Sequence, residues 1–477
     1  MSDRRLAALL VLTALLARIV AWLGTPIFGT DSAQMMRMAD GFFEGRWRAA
    51  LEVGYHPLFP FLMSLLKPLA GTERAGFAIS IALGSAAAAP LFLAARAAFG
   101  RPAAFLGTLL YAVHPSVVEL HADVMTEGTF MFFLFTAVWL GTEAVEEPRW
   151  DRALLAGLAA GAAYLARPEG LLAVAGIPCW LLVSAWRGRR AARAGTAALA
   201  LATALVVMSP YLLWARSVKG RWTLSAKGSV QAVEGAEERK PEATEKGGEV
   251  RVRNPWAELW KHLLRVTQIF LLPLLAVGFL GLRKRWSLLV YLSFPIVYWA
   301  AIVWATTRNP YTSYRYLLPG MMLLLPVAAA GVERLLRAIR RPAWWPAAAA
   351  ALAVVLAARD MRTVRADERP MRAAAAWIRE QGRPAPLDRS KAGPTGPAIV
   401  ASTTDKVSYL AGSPYRPMPA TWEEFMRTRG ESDYVVYTDK ELEQRKPPYL
   451  GRIREHLGDP VRFAQEKCRT VYVHRCR

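Results

Sequence analysis

Three cysteines in 477 residues exclude a disulfide-built scaffold, and 34 glycines are too few for a collagen-like repeat. No GxGxxG or GxxxxGKS/T element occurs, so the chain lacks the glycine-rich loops that cradle nucleotide phosphates. No repeat is visible beyond the hydropathy itself. Acids are scarce, with 38 Asp+Glu against 60 Lys+Arg, a net charge of +22. Such an excess can mark a nucleic-acid partner, but a basic DNA-binding protein does not carry repeated apolar runs of membrane length. A 54% hydrophobic composition, above the roughly 45–50% of soluble domains, also excludes intrinsic disorder.

What the chain has is long apolar runs. A membrane-spanning helix needs about 20 mostly apolar residues. Runs near that length lie at Leu6–Leu23, Ala75–Phe99, Ala103–Leu120, Val124–Leu140, Ala153–Leu165, Leu171–Trp186 and Ala194–Trp214. They resume at Leu263–Leu282, Ser287–Ala305, Leu317–Val332 and Ala343–Ala358, about eleven in all. Arg4 and Arg5 precede the first run, but no small-residue cleavage site follows it, so it reads as an uncleaved span. Leu58–Leu69 is too short to cross and contains Pro60, Lys67 and Pro68; it reads as an interfacial helix.

Positive charge is retained on the cytoplasmic side of a membrane. With the N-terminus inside, the short inner loops hold fifteen Lys and Arg, whereas the short outer connections hold Arg167, Arg308 and Arg315. This predicts a multi-pass protein of the plasma (inner) membrane. Its larger outer segments are Gly24–Arg74, Ala215–His262 and the tail Arg359–Arg477. Within the second of these, EGAEERKPEATEKGGE is charged and carries Gly and Pro, as a mobile tip would. The expected division is thus a membrane domain over 1–358 and an outer domain over 359–477.

The tail reads as a small α/β domain. AIVAS (Ala398–Ser402), YVVY (Tyr434–Tyr437) and TVYVH (Thr470–His474) are β-branched and aromatic, hence strand-like. A helix is expected over Thr421–Arg429, with Thr421 and Glu424 placed as a capping box. Cys179 reads as packing within a span. Cys468 and Cys476 lie on the outer side, where a disulfide could persist or both remain free thiols.

Ionisable groups near hydrocarbon are costly and therefore informative. Here they collect on the outer connections: Asp31 and His56–Pro57 in the first, and Glu119, His121, Asp123 and Glu127 in ELHADVMTEG. YLARPEG adds Arg167 and Glu169, and TTRNPYTSYRY adds Arg308, Tyr311, Arg315 and Tyr316. Each has a purely structural reading too. Asp31 can cap a helix, His56 can fix a turn before Pro57, and Glu127 can simply pair with Arg167. Arg308 and Arg315 can snorkel, and Tyr311 and Tyr316 can sit in an aromatic belt. Their joint placement on one side favours a site. Moving a sugar from a lipid phosphate to a hydroxyl needs a carboxylate that takes the acceptor proton and cations that hold the leaving phosphate. Asp31 suits the first role, Arg308 and Arg315 the second, and Glu127 or Glu169 can contact the sugar or acceptor. No cofactor is required outright; a divalent metal is left open.

The order of these pieces resembles the lipid-phosphate-sugar-dependent GT-C glycosyltransferases, in particular the bacterial protein mannosyltransferase-like and aminoarabinose-transferase-like branch. The matching elements are TDSAQMMRMADGFFEG, YHPLFPFLMSLLKPLAG, HPSVVELHADVMTEGTFMFFLF, LAAGAAYLARPEGLL and SYRYLLPGMMLLLPVAAAGVERL. The resemblance covers about residues 1–335 and implies a multi-span all-α bundle with amphipathic helices in the first outer loop, followed by a small outer domain. It further implies a polyprenyl-phosphate sugar donor and transfer that inverts the anomeric centre. The family's catalytic carboxylate maps onto Asp31, its HP element onto His56–Pro57 and its second-turn acid onto Glu127. Where the family often has a second acid, this chain has Ser32, and Met35 and Met36 occupy the stretch where a tyrosine is common. The expected partners are the donor lipid, membrane lipids and a glycan, lipid or protein acceptor, with no nucleic acid. Two other readings are a flippase or transporter for a lipid-linked saccharide and a non-catalytic membrane scaffold.

Overall fold

The computed structural model describes residues 1–224, 255–280, 286–308, 313–360, 366–382, 398–402, 405–428, 431–444, 447–465 and 468–476. Seven helices are long and apolar enough to cross a membrane: Asp3–Leu23, Thr72–Phe99, Glu127–Glu146, Pro168–Trp186, Arg190–Lys219, Trp286–Trp304 and Tyr314–Ala338. Two bent pairs raise the number to nine: Arg101–Ala112 with Pro115–His121, at 54°, and Trp256–Thr267 with Leu271–Leu280, at 81°. The protein is therefore a multi-pass membrane protein. The runs around Ala153–Leu165 and Ala343–Ala358 also fold as helices, Trp150–Ala166 and Trp345–Asp360, of 17 and 16 residues. They fall at or just under the short end of the roughly 17–25 residues a span uses. Length and composition thus support seven to nine crossings among the described residues, where hydropathy reads about eleven. Leu58–Ala70 is a helix of 13 residues, too short to span. The stretch EGAEERKPEATEKGGE lies outside the described residues.

The breaks have local causes. His114 precedes Pro115, whose ring forces its neighbour out of the helical region, and His114 accordingly takes an extended conformation (ψ 123°). Its imidazole Nε2 then meets the Val266 carbonyl at 2.9 Å, tying this bend to the end of Trp256–Thr267. Gln268, at the second break, sits at φ 48°.

The chain forms two compact units, residues 1–22 with 38–362 and residues 23–37 with 363–477. In the first, alanine and glycine let helices approach closely, as expected where no hydrophobic drive separates helix from lipid. The run Gly157-Leu-Ala-Ala-Gly161 packs on Arg190–Lys219; a Cβ at Gly157 would lie 2.3 Å from the Ala200 carbonyl oxygen. Gly157→Val is therefore expected to lower stability by about 1–3 kcal/mol, read as a lower unfolding temperature in detergent. Arg193, in the first turns of helix Arg190–Lys219, is buried and donates from Nη1 to the Val145 carbonyl at 2.5 Å and to Ser184 Oγ at 2.7 Å. It satisfies a carbonyl at the end of Glu127–Glu146 that the helix leaves unpaired.

The second unit holds a five-stranded sheet in the order β2-β1-β3-β5-β4, with β1 Val400–Ser402, β2 Tyr415–Pro417, β3 Tyr434–Thr438, β4 Val461–Phe463 and β5 Val471–Arg475. β1 runs parallel to β2 and β3, and β5 antiparallel to β3 and β4. β3 is buried at every residue, as its unbroken YVVYT run requires. Trp422–Thr428 is helical, and its Glu424 N–H donates to Thr421 Oγ1 at 3.3 Å, the backbone half of the expected capping box. Among the described residues no disulfide joins Cys179, Cys468 or Cys476.

This unit also contains the segment Leu23–Arg37, which precedes and begins helix Thr30–Phe43. Arg37 grips Asp405 with two bonds, Nε to Oδ2 at 2.9 Å and Nη2 to Oδ1 at 2.6 Å. Arg372 Nε donates to the Pro26 carbonyl at 2.6 Å, and Phe28 packs edge-on against Tyr409. Nothing in the hydropathy of residues 24–74 signals this attachment.

Candidate active site

In the membrane unit, four of the expected site residues form one ion-pair network. Glu127 opens helix Glu127–Glu146, and its side chain is fully buried. Its Oε1 accepts from Arg167 Nη1 at 2.6 Å and from Arg315 Nε at 2.6 Å. Arg167 also forks onto Glu169, Nη2 to Oε1 at 2.8 Å and Nε to Oε2 at 3.3 Å. Two glutamates and two arginines thus close a charge-neutral group drawn from three connections far apart in sequence. Burial disfavours the Arg167 charge, yet Glu169 and Glu127 together hold its pKa above the ordinary arginine value. The arrangement obeys the rule that a buried charge is kept only with a partner.

Local structure aims each member. Arg167 is the extended residue between Trp150–Ala166 and the 3-10 turn Pro168–Gly170, so the guanidinium and the Glu169 carboxylate leave the same tight turn. Gly170 permits that turn, since a Cβ there would lie 2.2 Å from the Tyr164 nitrogen. Arg315 sits in the first turn of Tyr314–Ala338, where its N–H approaches the Ser313 cap hydroxyl at 3.4 Å. Tyr316 lies beneath Arg167, with the guanidinium 5.4 Å from the ring centroid. His56 is buried; its Nδ1 meets the Tyr164 carbonyl at 2.7 Å, and its ring stands between Tyr164 and Tyr211 at 5.1 and 4.9 Å. Glu119 forms a second pair, with Arg265 Nη2 at 2.7 Å, and Arg265 lies 3.7 Å above the Tyr314 ring.

Asp31 stands in the first turn of helix Thr30–Phe43, half-buried, in the other unit. Arg308 ends helix Trp286–Arg308; its side chain and the whole of Tyr311 lie outside the described residues. No group of three or more His, Cys, Asp or Glu is placed to hold a metal ion among the described residues.

Two residues near this chemistry escape a reading of the loops. Tyr298, on Trp286–Arg308, is 3% exposed, lies within electrostatic reach of Glu169, Arg167 and Glu127, and its hydroxyl has no hydrogen-bond partner among the described residues. Arg18 lies inside the first apolar run and is fully buried. It donates from Nε to His121 Nδ1 at 3.2 Å, and from Nη1 to the carbonyls of Ala14 at 2.8 Å and Ala112 at 3.0 Å. A lone arginine within an apolar run was itself the available signal for the second; a tyrosine in a span carries none.

Fold and polar network together define a multi-pass membrane protein with a buried, charge-paired cluster at the ends of its helices. Residues 55–214 match the family model described as dolichyl-phosphate-mannose-protein mannosyltransferase. Among solved structures, ArnT from Cupriavidus metallidurans bound to undecaprenyl phosphate superposes with a TM-score of 0.62 at 15% identity, covering 98% of this chain and 97% of that one. Its apo form gives 0.60 at 14%, with 98% of each chain covered. The Archaeoglobus fulgidus oligosaccharyltransferase in its apo form gives 0.60 at 12%, over 92% of this chain and 70% of that one. Comparison with curated protein sequences gives no match. The resemblance read from the sequence therefore holds at two levels: a family-model match over 55–214, and the fold of the ArnT structures over nearly the whole chain.

Proposed function

We propose that the protein transfers a sugar from a polyprenyl-phosphate donor to an acceptor hydroxyl on the extracytoplasmic side of the plasma membrane. The observation that carries this reading is the match of residues 55–214 to a lipid-phosphate-sugar transferase family, a stretch that contains His56, Glu127, Arg167 and Glu169. The proposed orientation keeps the N-terminus inside, with about eleven spans and the sheet-bearing tail outside. In the proposed step the acceptor oxygen attacks the anomeric carbon, the bond from that carbon to the phosphate oxygen breaks, and polyprenyl phosphate departs. The carbon inverts, and the acceptor proton passes to the Asp31 carboxylate. Arg315 and Arg308 neutralise the phosphate as it gains charge. Glu127 fixes the Arg315 guanidinium through Nε, while Glu169, Tyr316 and His56 line the sugar or acceptor side. Tyr311 belongs to the same outer connection.

The test is to incubate the purified full-length protein with a panel of polyprenyl-phosphate sugars and follow the release of polyprenyl phosphate. Release or transfer with at least one donor is expected. Movement of a lipid-linked saccharide across a vesicle membrane without bond cleavage would replace this reading with transport.

Because Arg37 anchors the middle of the Asp31 helix to Asp405, Asp405 is a positioning residue in this proposal. Asp405→Asn removes one charge from a bidentate pair and is expected to lower kcat by about tenfold. The donor KM should change little, and Asp405→Glu should recover part of the loss. An unchanged kcat would separate the tail from the chemistry.

A further inference from the structure

A groove of about 470 Å³ lies at the arginine-rich end of the membrane unit, away from the network above, between the first span, Arg101–Ala112 and the end of Tyr314–Ala338. Its walls include Leu6, Phe105, Leu336 and Trp345, and Arg101 and Arg337 stand at its polar margin. Phe105 and Trp345 meet at 6.1 Å as part of the apolar wall. The acids there are already engaged: Asp3 with Arg101 and Arg96, and Glu333 with Arg337 at 2.5 Å. Arg340 and Arg341, both exposed, immediately precede the lining Pro342, so cations outnumber acids at this margin.

The backbone adds an independent observation. Tyr314–Ala338 ends with the Arg341 N–H on the Leu336 carbonyl at 2.8 Å and the Arg340 N–H on the Arg337 carbonyl at 3.1 Å. This is the helix-ending motif in which glycine normally takes the left-handed position. Here that position is Arg340, at φ 57°. The helix thus ends with Arg340 in the left-handed conformation, just before Pro342, which lines the groove.

We propose that this groove binds an anionic diacyl phospholipid, with an acyl chain along Leu6, Phe105, Leu336 and Trp345 and the phosphate against Arg337, Arg340 and Arg341. Basic pockets between membrane helices recognise such head groups through charge and hydrogen bonding. A choline head group would bring its own cation to this margin, so the site selects negative over zwitterionic lipid.

The test uses full-length protein purified in neutral detergent, with bound lipid counted by native mass spectrometry and the unfolding temperature followed as lipid is added. Phosphatidylglycerol is expected to bind and raise the unfolding temperature, with phosphatidylcholine and soluble glycerol phosphate doing neither. Arg337→Gln with Arg341→Gln changes two exposed side chains, and its unfolding temperature without lipid should match that of the parent. Its affinity for phosphatidylglycerol should fall by at least about tenfold. Equal affinity in parent and variant would overturn the proposal. So would equal binding of phosphatidylcholine, an equal effect of glycerol phosphate, or displacement of phosphatidylglycerol by polyprenyl phosphate at equal concentration.

Discussion

Replacing Asp31 with Asn is expected to lower sugar transfer by a factor of about 10²–10⁴, the usual contribution of a positioned general base, while leaving the protein folded in the membrane. Asn keeps the size and the hydrogen-bonding oxygen of Asp but cannot take the acceptor proton. Asp31 lies in the first turn of Thr30–Phe43, where a negative charge gains only about 0.3–1 kcal/mol from the helix dipole, so the stability cost is small. If Asp31 merely begins the helix, the variant would show that small stability loss and nearly full activity. Asp40, on the same helix, supplies the contrast. Its Oδ1 accepts from Lys67 Nζ at 2.8 Å and Thr72 Oγ1 at 2.5 Å, tying the helix to Leu58–Ala70 and the start of Thr72–Phe99. Asp40→Asn should therefore lower the unfolding temperature more than Asp31→Asn does. Transfer rates of both variants, normalised to folded protein, separate the two roles; full activity in Asp31→Asn removes the proposed base.

The sequence made the helices legible because hydrocarbon leaves so little choice: a run of about 20 apolar residues must satisfy its own backbone, and the helix does so. It also marked Glu127, Arg167, Glu169 and Arg315, since ionisable groups at the ends of apolar runs are rare enough to attract notice. What it did not show was that Glu127 joins Arg167 and Arg315. Their separations of 40 and 188 residues follow no period, and only tertiary packing brings them together. The bend at His114–Pro115 was written in the proline, yet Ala103–Leu120 still reads as one apolar run, because hydropathy is blind to direction. In the tail, the buried strands β1, β3 and β5 announced themselves by β-branched and aromatic runs. β2 and β4 are three-residue edge strands, Tyr-Arg-Pro and Val-Arg-Phe, whose central arginines hide any alternation. The attachment of Leu23–Arg37 to that sheet rests on Arg37 and Asp405, two unremarkable charges 368 positions apart.

Glu127→Gln is expected to be the most destabilising single change in the membrane unit, by about 3–5 kcal/mol, the range for removing one partner of a buried ion pair. Gln preserves shape and one acceptor, so little packing is lost; what disappears is the charge. Arg167 would keep Glu169, but Arg315, whose side chain is 19% exposed, would lose the acid that holds its Nε. The four side chains, two glutamates and two arginines, would then sum to one positive charge instead of none. Arg315→Met alone leaves one negative charge in excess, with Arg167 shared between Glu127 and Glu169. The double variant Glu127→Gln with Arg315→Met restores neutrality and should recover part of the loss. A coupling of about 0.5–3 kcal/mol between the two sites is therefore expected. Unfolding in detergent, measured for the parent, both single variants and the double, closes the cycle. Additive losses would mean that the Glu127 carboxylate acts on stability independently of Arg315. A positive coupling accompanied by loss of transfer in the double variant would assign the Glu127–Arg315 pair to the reaction itself, since the neutrality of the group would have been returned.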